Sequence, residues 1–106
     1  MAVAPAHETP FTAIASSTRR KILDFIQDGE RSVGAIVGAV GISQPAVSQH
    51  LKVLKEAGLV GERAEGRFRY YRLQPGPLAE VMAWVKAYEQ FWTDRLAALG
   101  RVLDET

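Results

Sequence analysis

The sequence predicts a mainly helical chain with one small β-hairpin, in the order α-α-α-α-β-β-α. Three observations carry this. Serines at 16 or 17, 32 and 43 each precede apolar residues that recur at steps of three and four. Two β-prone runs, "LVGERA" and "RFRYYRL", flank Glu65-Gly66. A long apolar helical segment then follows Pro77. At 106 residues the chain is long enough for one core and too short for two.

Phe11 and Ile14 mark a short first helix. Ser16 or Ser17 opens a second, whose stripe is Ile22, Leu23, Phe25 and Ile26, with Gly29 as its stop. Ser32 caps a third, carrying Val33, Ile36, Val37 and Val40 and ending at Gly41. Gly34 and Gly38 weaken that helix by about 1 kcal/mol each relative to alanine, and they read as points of close packing. Ser43 caps a fourth, with Gln44 and Pro45 in a first turn that tolerates a missing N–H. Val47, Leu51 and Leu54 form its buried stripe and Gly58 closes it. Only Gly41 and Ile42 separate the third helix from the cap of the fourth, a helix-turn-helix arrangement. Two strands alone are marginal, so the hairpin must lean on these helices, with Phe68, Tyr70, Tyr71 and Leu73 as anchors. Pro77 opens a last helix reaching about Leu103, roughly 40 Å at 1.5 Å per residue.

Composition excludes several functions. There is no cysteine, hence no disulfide or thiolate site, and the two histidines, His7 and His50, lie far apart. No paired carboxylates or phosphate loop suggest catalysis, so no enzyme and no cofactor are expected. The N-terminus lacks the basic and apolar regions of a secretory signal. No apolar run approaches the ~18 residues of a membrane span. These features together predict a cytoplasmic protein. The net charge of +1 hides an uneven distribution. Residues 52–72 hold six basic and three acidic side chains, leaving seven and nine elsewhere, so a basic patch sits on a slightly acidic body.

With Val47 at the centre of the buried face, Pro45, Ser48, Gln49 and Lys52 fall on the opposite side of the fourth helix, with Ser43 and Gln44 at its N-terminal tip. Short hydroxyls and amides can approach base edges closely, and glutamine, serine and lysine each pair with them. The helix N-terminus suits a phosphate. Arg63, Arg67 and Arg69 surround the hairpin turn, where a β-wing meets a DNA backbone. The predicted DNA-binding set is therefore Ser43, Gln44, Pro45, Ser48, Gln49, Lys52, Arg63, Arg67 and Arg69. His50, beside the buried stripe, reads as a packed or backbone-bonded histidine.

"SSTRRKILDFI", "SVGAIVGAVGISQPAVSQHLKVLKEAGLV" and "GRFRYYRL" together resemble the ArsR/SmtB family of winged helix-turn-helix repressors, over residues 11–73. The resemblance implies a homodimer on a pseudo-palindromic DNA operator, with residues 43–57 as recognition helix and 60–73 as wing. The arsenic and cadmium sensors of that family carry two cysteines at positions matched here by Ser32 and Gly34. Its zinc sensors use histidines and carboxylates on the last helix, which here has Glu80, Glu89 and Asp94 but no histidine. No metal is expected, and the resemblance is to a branch of autorepressors without metal sites. A metal-responsive repressor would need an atypical site. A protein-interaction module of the same fold would lack the basic wing and short polar face found here.

Residues 1–9 read as a flexible tail, 10–75 as the DNA-binding unit and 76–106 as a dimerisation helix in the same domain. The last helix carries more apolar surface than so small a core can cover. Phe11, Ile14, Val81, Val85, Tyr88, Trp92, Leu96 and Leu99 are the predicted dimer interface. No signature of a small-molecule effector is legible.

Overall fold

The computed structural model describes residues 9–104. Residues 1–8 of the expected tail, His7 among them, lie outside that range, and so do the side chains beyond Arg101. The order is α1 (Pro10–Ala13), α2 (Ser17–Ile26), β1 (Arg31–Ser32), α3 (Val33–Val40), α4 (Gln44–Glu56), β2 (Val60–Glu65), β3 (Phe68–Leu73), α5 (Leu78–Lys86) and α6 (Glu89–Asp104). No helix among the described residues is long and apolar enough to cross a membrane.

Side-chain caps start the first four helices. Thr9 and Thr12 form a reciprocal capping box on α1. The hydroxyls of Ser16, Ser32 and Ser43 accept the backbone N–H of Arg19, Ala35 and Ala46, satisfying donors with no partner inside their helices. At the far end of α4 the N–H of Gly58 bonds to Lys55 O and that of Leu59 to Leu54 O, both at 2.9 Å. This Schellman ending needs the left-handed conformation that Gly58 adopts at φ 78°. It turns the chain sharply, so that Leu59 and Val60 enter the core next to Leu54.

The core gathers Ile22 and Ile26 of α2, Ile36 of α3, Val47, Leu51 and Leu54 of α4, and Tyr71 of β3. Burying each large aliphatic side chain contributes about 1.5–3 kcal/mol. Helices α2, α3 and α4 thus close around one interior, and the sheet, in order β1-β3-β2 and antiparallel throughout, covers its edge.

Several expectations need correction. The sheet has a third strand, β1, which pairs Arg31 with Tyr71 and Ser32 with Tyr70. The hairpin loop is Gly66-Arg67 rather than Glu65-Gly66, because Glu65 pairs with Phe68. Gly66, at φ 60°, takes the first loop position, where a tight hairpin requires positive φ. Phe68 is exposed and anchors nothing in the core. Helix α2 ends at Ile26, before Gly29, which adopts no left-handed conformation. A Cβ at Gly34 or Gly38 would meet nothing closer than Ser32 Oγ at 4.0 Å, so neither marks close packing.

The long last helix is two. The N–H groups of Ala87 and Tyr88 bond three residues back, to Trp84 and Val85, tightening the chain into a turn before α6. Trp84, Tyr88 and Phe91 line this turn, with ring centroids 5.2 and 6.4 Å apart, and Trp84 meets Phe11 edge-on at 6.0 Å. Every residue from Glu89 to Leu99 is exposed. The radius of gyration is 18.1 Å, against about 13 Å for a compact domain of this length.

Candidate nucleic-acid interface

The exposed side of α4 and the wing enclose a groove of about 650 Å³. Gln44, Ser48 and Lys52 line it from α4, and Arg67 and Arg69 from the hairpin. Five of the nine predicted DNA-binding residues are therefore brought to one concavity. Ser43, Pro45 and Gln49 are exposed on the N-terminal half of α4 or at its cap, outside the groove lining. Val47, Leu51 and Leu54, nearly inaccessible to solvent, fix the rotation of the helix that presents all of them.

Arg63 has a different setting. It lies on the opposite face of the hairpin, over the Tyr70 ring at 4.8 Å. Its guanidinium donates to both Glu30 carboxylate oxygens and to Glu65, with closest distances of 2.7 and 2.8 Å. This clamp ties the wing to the loop before β1. The hydrogen bonds from Arg63 hold the Glu30 carboxyl below the usual carboxylate range, and Glu30 in turn raises the Arg63 pKa.

Sequence reasoning missed a network beside the groove. Glu62 stands opposite Tyr71 in the register and accepts the Tyr71 hydroxyl at 2.6 Å. Arg69 reaches the same carboxylate at 3.1 Å and Lys55 of α4 at 3.7 Å. The Tyr71 bond, ahead of the two cations, holds the Glu62 carboxyl below its ordinary range. Burial, and then the Glu62 carboxylate, push the Tyr71 phenol up to about 12. Lys55 shares a helix face with Lys52, a signal the sequence did carry, but the partners of Glu62 depend on hairpin register.

His50 meets a side chain rather than backbone. Arg19 donates through Nε to Ala13 O at 2.7 Å and through Nη2 to Thr12 O at 3.1 Å. Its Nη1 stands 3.3 Å from His50 Nδ1. An arginine offers only donors, so Nδ1 accepts and the ring is neutral with its proton on Nε2. Burial, with the nearby Arg19 charge, lowers the His50 pKa.

The two positions matched to the sensor cysteines supply no thiolate. Ser32 spends its hydroxyl on the cap of α3, and Gly34 has no side chain. Among the described residues no three histidines, aspartates or glutamates converge.

Residues 16–62 match the sequence profile of the bacterial regulatory protein, arsR family. Over 92 residues the chain is 40% identical to the HTH-type transcriptional regulator Rv2034 of Mycobacterium tuberculosis (strain ATCC 25618 / H37Rv), covering 87% of this chain and 83% of that protein. It is 39% identical over 75 residues to the transcriptional repressor SdpR of Bacillus subtilis (strain 168), covering 71% of this chain and 83% of the repressor. The crystal structure of a possible transcriptional regulator for arsenical resistance superposes with a TM-score of 0.66 at 44% identity, covering 81% of this chain and 90% of that one.

Proposed function

The chain belongs to the arsR family of bacterial regulatory proteins, DNA-binding regulators rather than enzymes, and from that premise we propose a homodimeric repressor that binds a pseudo-palindromic operator and senses no metal. One observation carries the reading: Gln44, Ser48 and Lys52 share a single groove with Arg67 and Arg69. A helix seated in the major groove presents the first three to base edges, with Gln49 beside them, while the wing reaches the flanking backbone. Ser43 and Pro45 then shape the helix start, where backbone N–H groups meet a phosphate.

The exposed Val85, Tyr88, Trp92, Leu96 and Leu99 support a two-fold pairing through α5 and α6. Phe11 of α1 meets Trp84 of α5 beside that surface, and the half-buried Ile14 and Val81 complete the proposed interface. The unsuitable donors around Ser32, Gly34 and His50 support regulation without metal. In this reading residues 10–75 contact DNA and 76–106 hold the two copies together.

Selection from a randomised duplex library tests the proposal. The chain should enrich an inverted repeat with half-site centres about 34–36 Å apart. Gln49→Ala should weaken binding to the selected duplex by about 1–3 kcal/mol while leaving random duplex nearly unaffected. Equal losses on both would show that α4 does not read sequence.

A further inference from the structure

The groove facing DNA holds a carboxylate that the proposed function does not need. Glu62 borders the same concavity as Lys52, Lys55, Arg67 and Arg69, where a phosphate backbone would lie. A negative charge there repels DNA unless it serves another purpose. Its surroundings point to one. The Tyr71 hydroxyl, anchored in the core, fixes the carboxylate from below at 2.6 Å. Arg69 from the wing and Lys55 from α4 close on it at 3.1 and 3.7 Å. Two cations on different elements are thereby drawn to one oxygen pair rather than left to meet phosphates.

Resting on the repressor reading, we infer that Glu62 is a specificity-determining residue: it restrains Lys55 and Arg69 and so limits sequence-independent binding. Backbone contacts by free cations strengthen binding to every duplex alike, whereas base contacts from α4 discriminate between sequences. Removing two cations from the first class raises the relative weight of the second. The Lys55–Glu62 pair also links the recognition helix to the wing. Of the two wing arginines that line the groove, Arg69 is paired with Glu62, whereas Arg67 has no carboxylate partner among the described contacts; its guanidinium carbon lies 6.0 Å from the Phe68 ring centroid. Arg67 is therefore the groove-lining wing side chain left to carry backbone attraction in the wild-type chain.

Glu62→Gln tests this, because glutamine keeps the shape and can still accept the Tyr71 hydroxyl while losing the charge. Binding to the library-selected duplex and to a random duplex of equal length is measured as a function of salt, with a thermal melt to confirm folding. The random-duplex log–log slope should steepen by about one to two units, since each added phosphate contact contributes about 0.9. The ratio of selected to random affinity should fall. Adding Lys55→Ala to Glu62→Gln should return about one unit of the slope, which a loss of packing alone would not do. An unchanged slope or an unchanged ratio in Glu62→Gln overturns the inference. A wild-type chain that does not discriminate between the two duplexes overturns the repressor reading, and the inference with it.

Discussion

In α4 the apolar stripe of Val47, Leu51 and Leu54 is at most 1% exposed, whereas in α5 and α6 the stripe of Val85, Trp92, Leu96 and Leu99 is 37–67% exposed. Both stripes have helical spacing, and both lie in a chain of ordinary composition. The first is covered within one chain, by α2, α3 and the sheet. The second has no such cover, and its aromatic ladder from Phe11 through Trp84 and Tyr88 leads outward along the arm. The helix-turn-helix thus contains its own stabilising interior, while in the proposed dimer the arm acquires one from a second copy. Under the proposed function, reading of DNA and pairing of chains are separate tasks on separate elements, coupled because an inverted repeat demands two recognition helices at fixed spacing.

The sharpest contrast comes from truncating each stripe. Leu51→Ala should lower unfolding free energy by about 2–5 kcal/mol at any chain concentration, read from urea midpoints. Leu96→Ala should matter only at concentrations where dimers form, since assembly stabilises by mass action. A concentration-independent loss at Leu96 would mean that the arm is covered within its own chain.

A second contrast divides the wing by its faces. Arg67→Ala should flatten the log–log salt dependence of DNA binding by up to about 0.9. Arg63→Ala should leave that slope unchanged, because Glu30 and Glu65 already neutralise this side chain. The clamp lies on exposed surface, so its loss should show as greater wing mobility in amide exchange. Equal slopes for both variants would return Arg63 to the DNA-facing set.

The smallest effect concerns pH. His50 is held neutral in the fold, with its pKa below the ordinary 6.5. The unfolded chain therefore takes up a proton first as pH falls, so the stabilising contribution is complete above about 6.5 and is lost on acidification toward the folded pKa. Between pH 7.5 and 5.5, an interval chosen to span roughly one unit either side of 6.5, the wild-type urea midpoint should drop further than that of His50→Gln. Glutamine can still accept from Arg19 but does not titrate. Parallel profiles would remove His50 from the pH response. The Glu30 and Glu62 carboxyls, both held below 4.5, lose their contribution only at more acidic pH.

What could be read from the sequence follows the range of the forces involved. Caps are local: Ser32 and Ser43 sit three residues before the N–H groups they bind, and their identity announces the helix. The stripe on α4 is equally local, so the face opposite it could be named in advance. Strand β1 could not, because two residues show no periodicity and Arg31-Ser32 becomes a strand only by meeting Tyr70 and Tyr71. The break between α5 and α6 falls at Ala87-Tyr88, with neither proline nor glycine to announce it. Glu62 is one of the three acidic residues within the basic stretch 52–72, and its contacts come from a hairpin register that places it opposite Tyr71. Arg63 and Arg69 were indistinguishable as wing cations until that register put them on opposite faces.

Sedimentation of the wild-type and Leu96→Glu chains at micromolar concentration, with and without the library-selected duplex, bears most directly on the claim that a self-contained reading unit depends on a shared arm. The wild type should sediment as two chains and bind the duplex as two. Leu96→Glu should sediment as one folded chain and lose most of its affinity for the duplex, although Leu96 lies on the arm and outside the α4–wing groove. A monomeric wild type, or a monomeric Leu96→Glu with affinity intact, would contradict the account.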